Sequence, residues 1–320
     1  MKLIIAEKPS QAATYAKVIG GMERKNGYFE GNGYQIAWCF GHLIGLANDK
    51  YYHKEEKWSM NYLPLLVDNF QYEVAPDEGK QKQFAVIEKL AKEATTIING
   101  TDADREGELI FRTVINKTGA KKPVSRLWLN SLEDNDIRQG LKELKAYEDR
   151  KDDKIHLSLN KLSTASELRQ QFDWLVGVNG TQAMTVLKGQ GKLLTIGRVQ
   201  TVVLKIIVER YLANKSHKVT YRYRLVAQHK EQGIEFKTQS ILFDTEVEAQ
   251  QKLTQIVKEF KVLDFKEKKQ LEHPPLLFSL NTLIIEANKQ FKYSSKQVLE
   301  TAQTLYEKKM ITYPRTDCEY

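Results

Sequence analysis

Apolar positions over residues 1–150 follow two alternating rhythms. Short, nearly continuous runs at Leu3 to Ala6, Gln35 to Phe40, Thr95 to Ile98 and Val124 to Leu129 predict strands covered on both faces. Between them the apolar spacing is helical: Ser10 to Ile19, stopped by Gly20 and Gly21; a face of Phe84, Ile87, Leu90 and Ala91; a run through Phe111 and Ile115; and Asp136 to Leu144. Strands alternating with helices predict an α/β domain over residues 1–150, built on a mostly parallel sheet. Ligands of such sheets gather at the carboxyl ends of the strands.

The rhythm changes after the charged break at Lys151 to Asp153. From Ile155 to about Ala213 the period is helical, which predicts a helical segment over residues 151–215. Residues 216–272 read as a small β-rich domain, in which VTYRYRLVAQ and IEFKTQSILF alternate as half-exposed strands around a turn at Glu231, Gln232 and Gly233. A helix over Thr245 to Phe260 follows, with Leu253 and Ile256 on its inner face. Pro274 and Pro275 then punctuate the chain before two amphipathic helices, Ser279 to Phe291 and Ser295 to Lys308, within a final segment of residues 273–320. There is no internal repeat or low-complexity segment.

Composition narrows the classes. The 320 residues suffice for two or more domains with their own cores. No apolar stretch is long enough to span a bilayer, and MKLIIAEKPS is charged too early for a signal peptide, so the expectation is a cytoplasmic protein without a membrane partner. Cys39 and Cys318 predict free thiols and no disulfide, and are too few for a four-cysteine zinc site. A net charge of +8 favours a polyanionic partner, although a modest excess of lysine is often only a solvated surface.

The densest chemistry lies in TDADREGELI, Thr101 to Ile110, with acids at Asp102, Asp104, Glu106 and Glu108. On an extended chain, acids at every second position share one side, at the sheet edge where the first strand delivers Glu7 and Lys8. Such a cluster calls for a cation. A hard divalent ion such as Mg2+ takes oxygen ligands, keeps several waters and implies a phosphate-bearing substrate. A lone acidic run is more often a solvated loop, but an acidic knot inside a basic protein favours phosphate binding around a metal. A second candidate is MITYPRTD, Met310 to Asp317. Pro314 biases Tyr313 towards extended backbone, so Arg315 can share its side of the chain. A guanidinium beside a phenol favours the phenolate and grips phosphate bidentately; a strand end with a surface arginine is an equal alternative.

The segments IIAEKPSQA, GHLIGLA, TDADREGELI, RLWLNSL, RQQFDWLVGVN, IGRVQT and LYEKKMITYPRTDC together resemble the N-terminal half of the type IA DNA topoisomerases, of the topoisomerase III kind. The resemblance runs in order over essentially the whole chain. It implies a Toprim metal-binding domain at residues 1–150, a single-strand groove at 151–215, part of a β-rich domain at 216–272, and the start of a gate domain at 273–320. It also implies ATP-independent breakage and rejoining of single-stranded DNA through a 5′-phosphotyrosine. Tyr313 then matches the nucleophile, Glu7 the acid that protonates the leaving 3′-oxygen, Lys8 and Arg315 the cations at the reacting phosphate, and Asp102, Asp104 and Glu106 the triad for Mg2+.

The resemblance further implies DNA contacts along the groove from Arg169, Asp173, Asn179, Arg198 and Gln200. Arg169 and Asp173, four apart on one helix face, could equally form an intrahelical salt bridge worth roughly a few tenths of a kcal/mol. Trp174 reads as packed core and His42 as a structural histidine. Gln182, where the family usually has arginine, is a departure that removes a phosphate contact, and Val202 is a departure without chemical consequence. The chain stops seven residues after Tyr313, whereas the family continues. The expectation is therefore a truncated form with weak single-strand binding and impaired relaxation, whose partners include a C-terminal portion or a helicase. Two other readings stand beside this one: a Toprim nuclease or primase relative that does not need Tyr313, and a non-catalytic single-strand DNA-binding fragment.

Overall fold

The computed structural model describes residues 1–147, 154–256, 264 and 266–319, with the side chains of 154–158 and 231 left undescribed. The charged break at Lys151 to Asp153, the boundary expected at 150/151 and the end of the helix expected to reach Phe260 lie outside the described residues. In chain order the elements are β1 (Lys2–Ala6), α1 (Pro9–Ile19), β2 (Glu23–Arg24), β3 (Tyr28–Gly31), β4 (Tyr34–Trp38), β5 (Ile44–Leu46), β6 (Tyr72–Val74), α2 (Glu78–Glu93), β7 (Thr96–Gly100), α3 (Arg105–Thr118), β8 (Val124–Arg126), α4 (Asp134–Lys142), β9 (Lys145–Ala146), α5 (Lys154–Lys188), α6 (Gln200–Lys215), β10 (Val226–Glu231), β11 (Ile234–Gln239), α7 (Glu246–Thr254), α8 (Leu280–Phe291) and α9 (Ser295–Glu307). They form two compact units, Met1–Gln200 with Pro275–Tyr320, and Thr201–Pro274.

In the first unit a seven-stranded sheet has the order β2-β3-β4-β1-β7-β8-β9. The four central strands are parallel, as the alternation of strand and helix predicts, while β2, β3 and β9 run antiparallel at the rims. Strand β1 shows why its sequence has no polar face. Leu3 and Ile5 pack with Ile87, Ile97, Phe111 and Val114 on one side, and Ile4 and Ala6 pack with Tyr15, Ile36, Ile98 and Ile137 on the other. Fully burying each of these larger side chains contributes about 1.5–3 kcal/mol.

Capping sets where the helices begin. Asp77 accepts from the Lys80 amide at the start of α2, and Ser279 and Ser294 cap α8 and α9 in the same way. Gly119 ends α3 in the left-handed conformation that a residue with a Cβ resists. The C-terminal segment is part of the second core face: Tyr306 is 1% and Tyr313 6% exposed, both in the cluster with Ile4 and Ile98. Backbone bonds from Tyr313 N to Asn130 O and from Leu280 N to Thr316 O, 2.9 and 3.1 Å, hold this segment in place. Through it, Tyr313 reaches the carboxyl end of the parallel strands.

In the second unit, β10 and β11 form an antiparallel hairpin around the turn at Gln232 and Gly233. The VTYRYRLVAQ strand is shorter than its alternation suggests, since only an isolated bridge, Tyr223 with Phe243, extends the pairing. Leu253 and Ile256 are exposed rather than inward, and Ala249 is the residue of α7 that is buried. Helix α6 is apolar over most of its circumference apart from a stripe of paired Lys205 and Glu209, and its Val202, Leu204, Ile206, Ile207, Tyr211 and Leu212 are all more than half exposed. A helix of that kind gains from a cover. An apolar fluorescent dye is expected to bind the chain, and replacing Ile206 and Ile207 with Gln is expected to reduce its signal; undiminished binding in that variant contradicts the exposed face.

Candidate active site

Four loops converge at the carboxyl edge of the parallel strands. Strand β1 ends in Glu7 and Lys8, β7 ends before the acidic run, Gly41 and His42 precede β5, and the segment after α9 brings Tyr313 and Arg315. Together they border a cavity of about 820 Å3 lined by Glu7, His42, Asp104, Glu106, Arg169 and Arg315 among others.

The acidic run is not extended: β7 ends at Gly100, and the Asp104 amide turns back to the Asp102 carbonyl at 2.9 Å. Asp104 is the N-cap of α3: its Oδ1 accepts from the Gly107 amide at 2.7 Å, so Glu106 and Glu108 fall on the first helical turn and diverge. Gly107 permits that turn. A Cβ built there would lie 2.3 Å from the Asp102 carbonyl oxygen and 2.9 Å from Thr101 Oγ1. Glu108 turns inward and is fully buried against Arg126, while Glu106 reaches the cavity. The extended every-second-residue reading therefore fails: a turn at Ala103 and the helix cap, not a strand, bring Asp104 and Glu106 to the cavity, and Glu108 turns inward.

The site residues form a connected set. Asp102 Oδ1 accepts from Gln11 Nε2 at 3.0 Å and its Oδ2 lies 3.3 Å from Lys8 Nζ. Glu7 Oε2 accepts from the Asp102 amide at 3.2 Å, and the Glu7 amide donates to Gln11 Oε1 at 2.8 Å. Lys8 also lies 3.9 Å from Glu307 on α9. Tyr313 Oη donates to Asp104 Oδ2 at 2.6 Å, and its ring meets Tyr306 edge-on at 5.3 Å. The phenol and the acidic turn, 209 residues apart in sequence, are in direct contact.

Burial decides the protonation of this set. Burial foremost, then the charge of Asp102, pushes Glu7 up to about 7, against the pull of Lys8. Asp102 is likewise raised, mainly by burial, and Lys8 opposes the shift. Burial, Asp102 and Asp104 push the Tyr313 phenol well above its usual value, and Arg315 pulls the other way. Glu106 is lowered, first by its hydrogen bond from His42, with help from Arg169. Buried carboxylates raised by burial and by a neighbouring acid, as Glu7 and Asp102 are, belong to a donor set suited to a hard divalent cation. Among the described residues, however, no three such groups are gathered as a ready ion site. Each carboxylate is on a protein partner instead: Asp102 on Lys8 and Gln11, Asp104 on Gly107 and Tyr313, Glu106 on His42 at 3.5 Å and Arg169 at 3.8 Å. His42 thus borders the cavity.

The groove candidates separate. Arg169 lies between Glu106 and Asp173, 3.8 Å from each. Asp173 is held chiefly by Arg198, whose Nε and NH2 donate to its two oxygens at 2.5 and 3.3 Å. The three residues form an exposed charged chain leading away from the cavity. Gln200 is exposed at the start of α6. Asn179 does not join them: its amide is used on Leu65 N at 2.6 Å, Leu65 O at 3.0 Å and Leu175 O at 2.9 Å. Gln182 is buried, accepting from Tyr62 Oη and donating to Asp49 Oδ2, both at 2.6 Å, so it stands in packing rather than at a lost phosphate contact. Trp174 donates to Ala47 O and packs edge-on against Tyr52 and Phe70, but it is half-buried and stands outside both core clusters. Cys39 is a buried free thiol and Cys318 is exposed, and among the described residues no helix is long and apolar enough to cross a membrane.

Sequence reasoning passed over Gln11, Asn99, Arg126 and Tyr147, which support the acidic run from behind. Arg126 carried a legible signal, since a charge inside a buried strand requires partners.

A sheet with parallel central strands and this acidic turn at its carboxyl edge defines a Toprim domain, and the Toprim family matches residues 2–132. The family described as DNA topoisomerase matches residues 159–320, more than half of the chain, and the chain belongs to that family. DNA topoisomerase 3 from Shouchella clausii is 37% identical over 329 residues, which take in 100% of this chain and 43% of that relative. DNA topoisomerase 3 from Bacillus thuringiensis is 35% identical, over 99% of this chain and 43% of its own length. The chain thus spans less than half the length of these relatives. Full-length topoisomerase I from Thermotoga maritima has the same fold over 99% of this chain and 49% of its own, with a TM-score of 0.67 at 24% identity. These matches bear out the resemblance to type IA topoisomerases of the topoisomerase III kind.

Gly107→Ala is expected to destabilise the chain by about 1–3 kcal/mol in urea unfolding, because the added methyl overpacks the Asp102 carbonyl. An unchanged midpoint contradicts the tight first turn of α3.

Proposed function

We propose that the protein breaks and rejoins single-stranded DNA through a 5′-phosphotyrosine on Tyr313, and so changes DNA topology without ATP. The observation that carries this reading is the 2.6 Å hydrogen bond from Tyr313 Oη to Asp104 at a cavity lined by Glu7 and Arg315, with Lys8 on the neighbouring Asp102. Tyr313 Oη attacks a backbone phosphorus; the new O–P bond forms as the bond to the 3′-oxygen breaks. The phenolic proton is already directed at Asp104. Glu7, pushed up to about 7 by burial and Asp102, is partly protonated at neutral pH and supplies a proton to the leaving 3′-oxygen. Lys8 and Arg315 stabilise charge on the phosphate. The ester energy stays in the tyrosine link, so resealing needs no second energy source.

Asp102, Asp104 and Glu106 would hold Mg2+, which when bound supplies charge neutralisation beside the phosphate. The basic groups Arg169 and Arg198 along α5 and its C-terminal loop serve as backbone contacts to one strand, with Asp173 orienting both guanidinium groups. Tyr313 and Asp104 are both engaged with each other, so admitting a strand between them requires the C-terminal segment to shift.

The test is an oligonucleotide labelled at either end and incubated with the chain and Mg2+ before denaturation. A 3′-label is expected to become protein-linked and a 5′-label to appear only on a shortened free strand. Tyr313→Phe is expected to abolish the adduct. Cleavage that survives this change would instead mark a nuclease, and a parent chain that shifts the oligonucleotide without forming an adduct would be a binding module alone. Glu7→Gln is expected to slow adduct formation by about 10²–10⁴-fold, and EDTA to stop resealing onto an added 3′-hydroxyl strand. A variant as fast as the parent contradicts the acid role.

A further inference from the structure

Glu108 and Arg126 are both fully buried, with Arg126 Nε 3.4 Å from Glu108 Oε2. As a stability device the pair is a poor choice, because desolvating two charges offsets most of what their attraction returns, and well-packed apolar residues often do as well. The hydrogen bonds point to another role. Arg126 NH1 donates to the carbonyl oxygens of Asn99, Thr101 and Leu127 at 3.0 Å each, and NH2 donates to Asp102 O at 2.7 Å. The guanidinium is therefore spent on the peptides that deliver the acidic turn, and Glu108 balances its charge.

The surrounding groups hold the same turn. Asn99 Oδ1 accepts from Thr101 N at 3.0 Å and Thr101 Oγ1 at 2.7 Å, while its Nδ2 donates to Glu108 Oε2 at 3.1 Å and Tyr147 Oη at 2.8 Å. Glu108 Oε1 accepts from Arg112 Nε at 3.1 Å and from Tyr147 Oη. A lysine at position 126 has one nitrogen and cannot reproduce a planar fan to four carbonyls. Buried carbonyls left without donors would pull the turn out of place.

We propose that Arg126, balanced by Glu108 and oriented through Asn99 and Tyr147, is a positioning residue that fixes the Thr101–Asp102 peptides so that Asp102 and Asp104 converge with Glu7. Its link to a divalent cation rests on the strand-cleavage reading; the geometry of the turn does not. Two variants of the whole chain test it: Arg126→Lys, which keeps the charge, and Arg126→Met with Glu108→Leu, which removes both charges at similar volume. The readouts are residue-resolved amide hydrogen exchange and calorimetric titration with Mg2+ alone.

In both variants exchange at the Asp102 amide, bonded to Glu7, and at the Gly107 amide, bonded to Asp104, is expected to rise about tenfold while the Ile4 and Ile98 amides keep the parent rate, and Mg2+ affinity to fall about tenfold. Unchanged exchange at Asp102 and Gly107 overturns the proposal. So does a loss of protection throughout β1 and β7, which would make the pair a support of the whole fold. A parent chain that binds no Mg2+ contradicts the cation part of the cleavage reading, and the exchange result still decides the role of Arg126.

Discussion

The burial of neighbouring carboxylates at one sheet edge is the constraint around which this chain is arranged. Glu7, Asp102 and Asp104 are brought to one edge by the ends of two adjacent parallel strands, where burial and the neighbouring acids make Glu7 and Asp102 harder to ionise. Everything nearby answers that problem. Lys8 and Gln11 take the oxygens of Asp102, the first turn of α3 takes one oxygen of Asp104, and the phenol of Tyr313 takes the other. A site that holds its acids by hydrogen bonds from neutral and cationic groups is also one that a phosphate and a cation can enter by exchange of partners.

The parallel sheet supplies the rigidity this requires. Strands β1, β4 and β7 are buried on both faces, so their ends cannot drift without disturbing two apolar clusters at once. Tyr306 and Tyr313 extend the second cluster from the far end of the chain, which ties the nucleophile candidate to the same core that fixes Glu7 and Asp102. Dense packing behind the phenol and a polar cavity in front of Arg315 and Glu106 separate support from chemistry.

Strands β1, β4 and β7 and their helices were legible in the sequence because parallel strands buried on two faces leave a short apolar run, whereas β8 holds only Val124 beside Ser125 and Arg126. The rims were not: Glu23–Arg24, Tyr28–Gly31 and Lys145–Ala146 are short, mixed in polarity and paired through contacts their own residues do not encode. Asp102 and Asp104 were identified by type and place, but Glu108 was read with them, since alternation in sequence says nothing about where a helix cap interrupts it. Leu253 and Ile256 were assigned inward on apolarity alone and are exposed. The contact between Tyr313 and Asp104 has no local signature, and only the resemblance to a known family brought the two together before the fold did.

The central claim is that the phenol near the C-terminus rests on the acidic turn. Substituting Tyr313 with photoreactive azidophenylalanine, irradiating the chain in the absence of DNA and mapping the product by peptide mass spectrometry measures this contact directly. Cross-links to the peptides that carry Asp104 and Tyr306 are expected. Cross-links confined to residues 201–274 would contradict this contact.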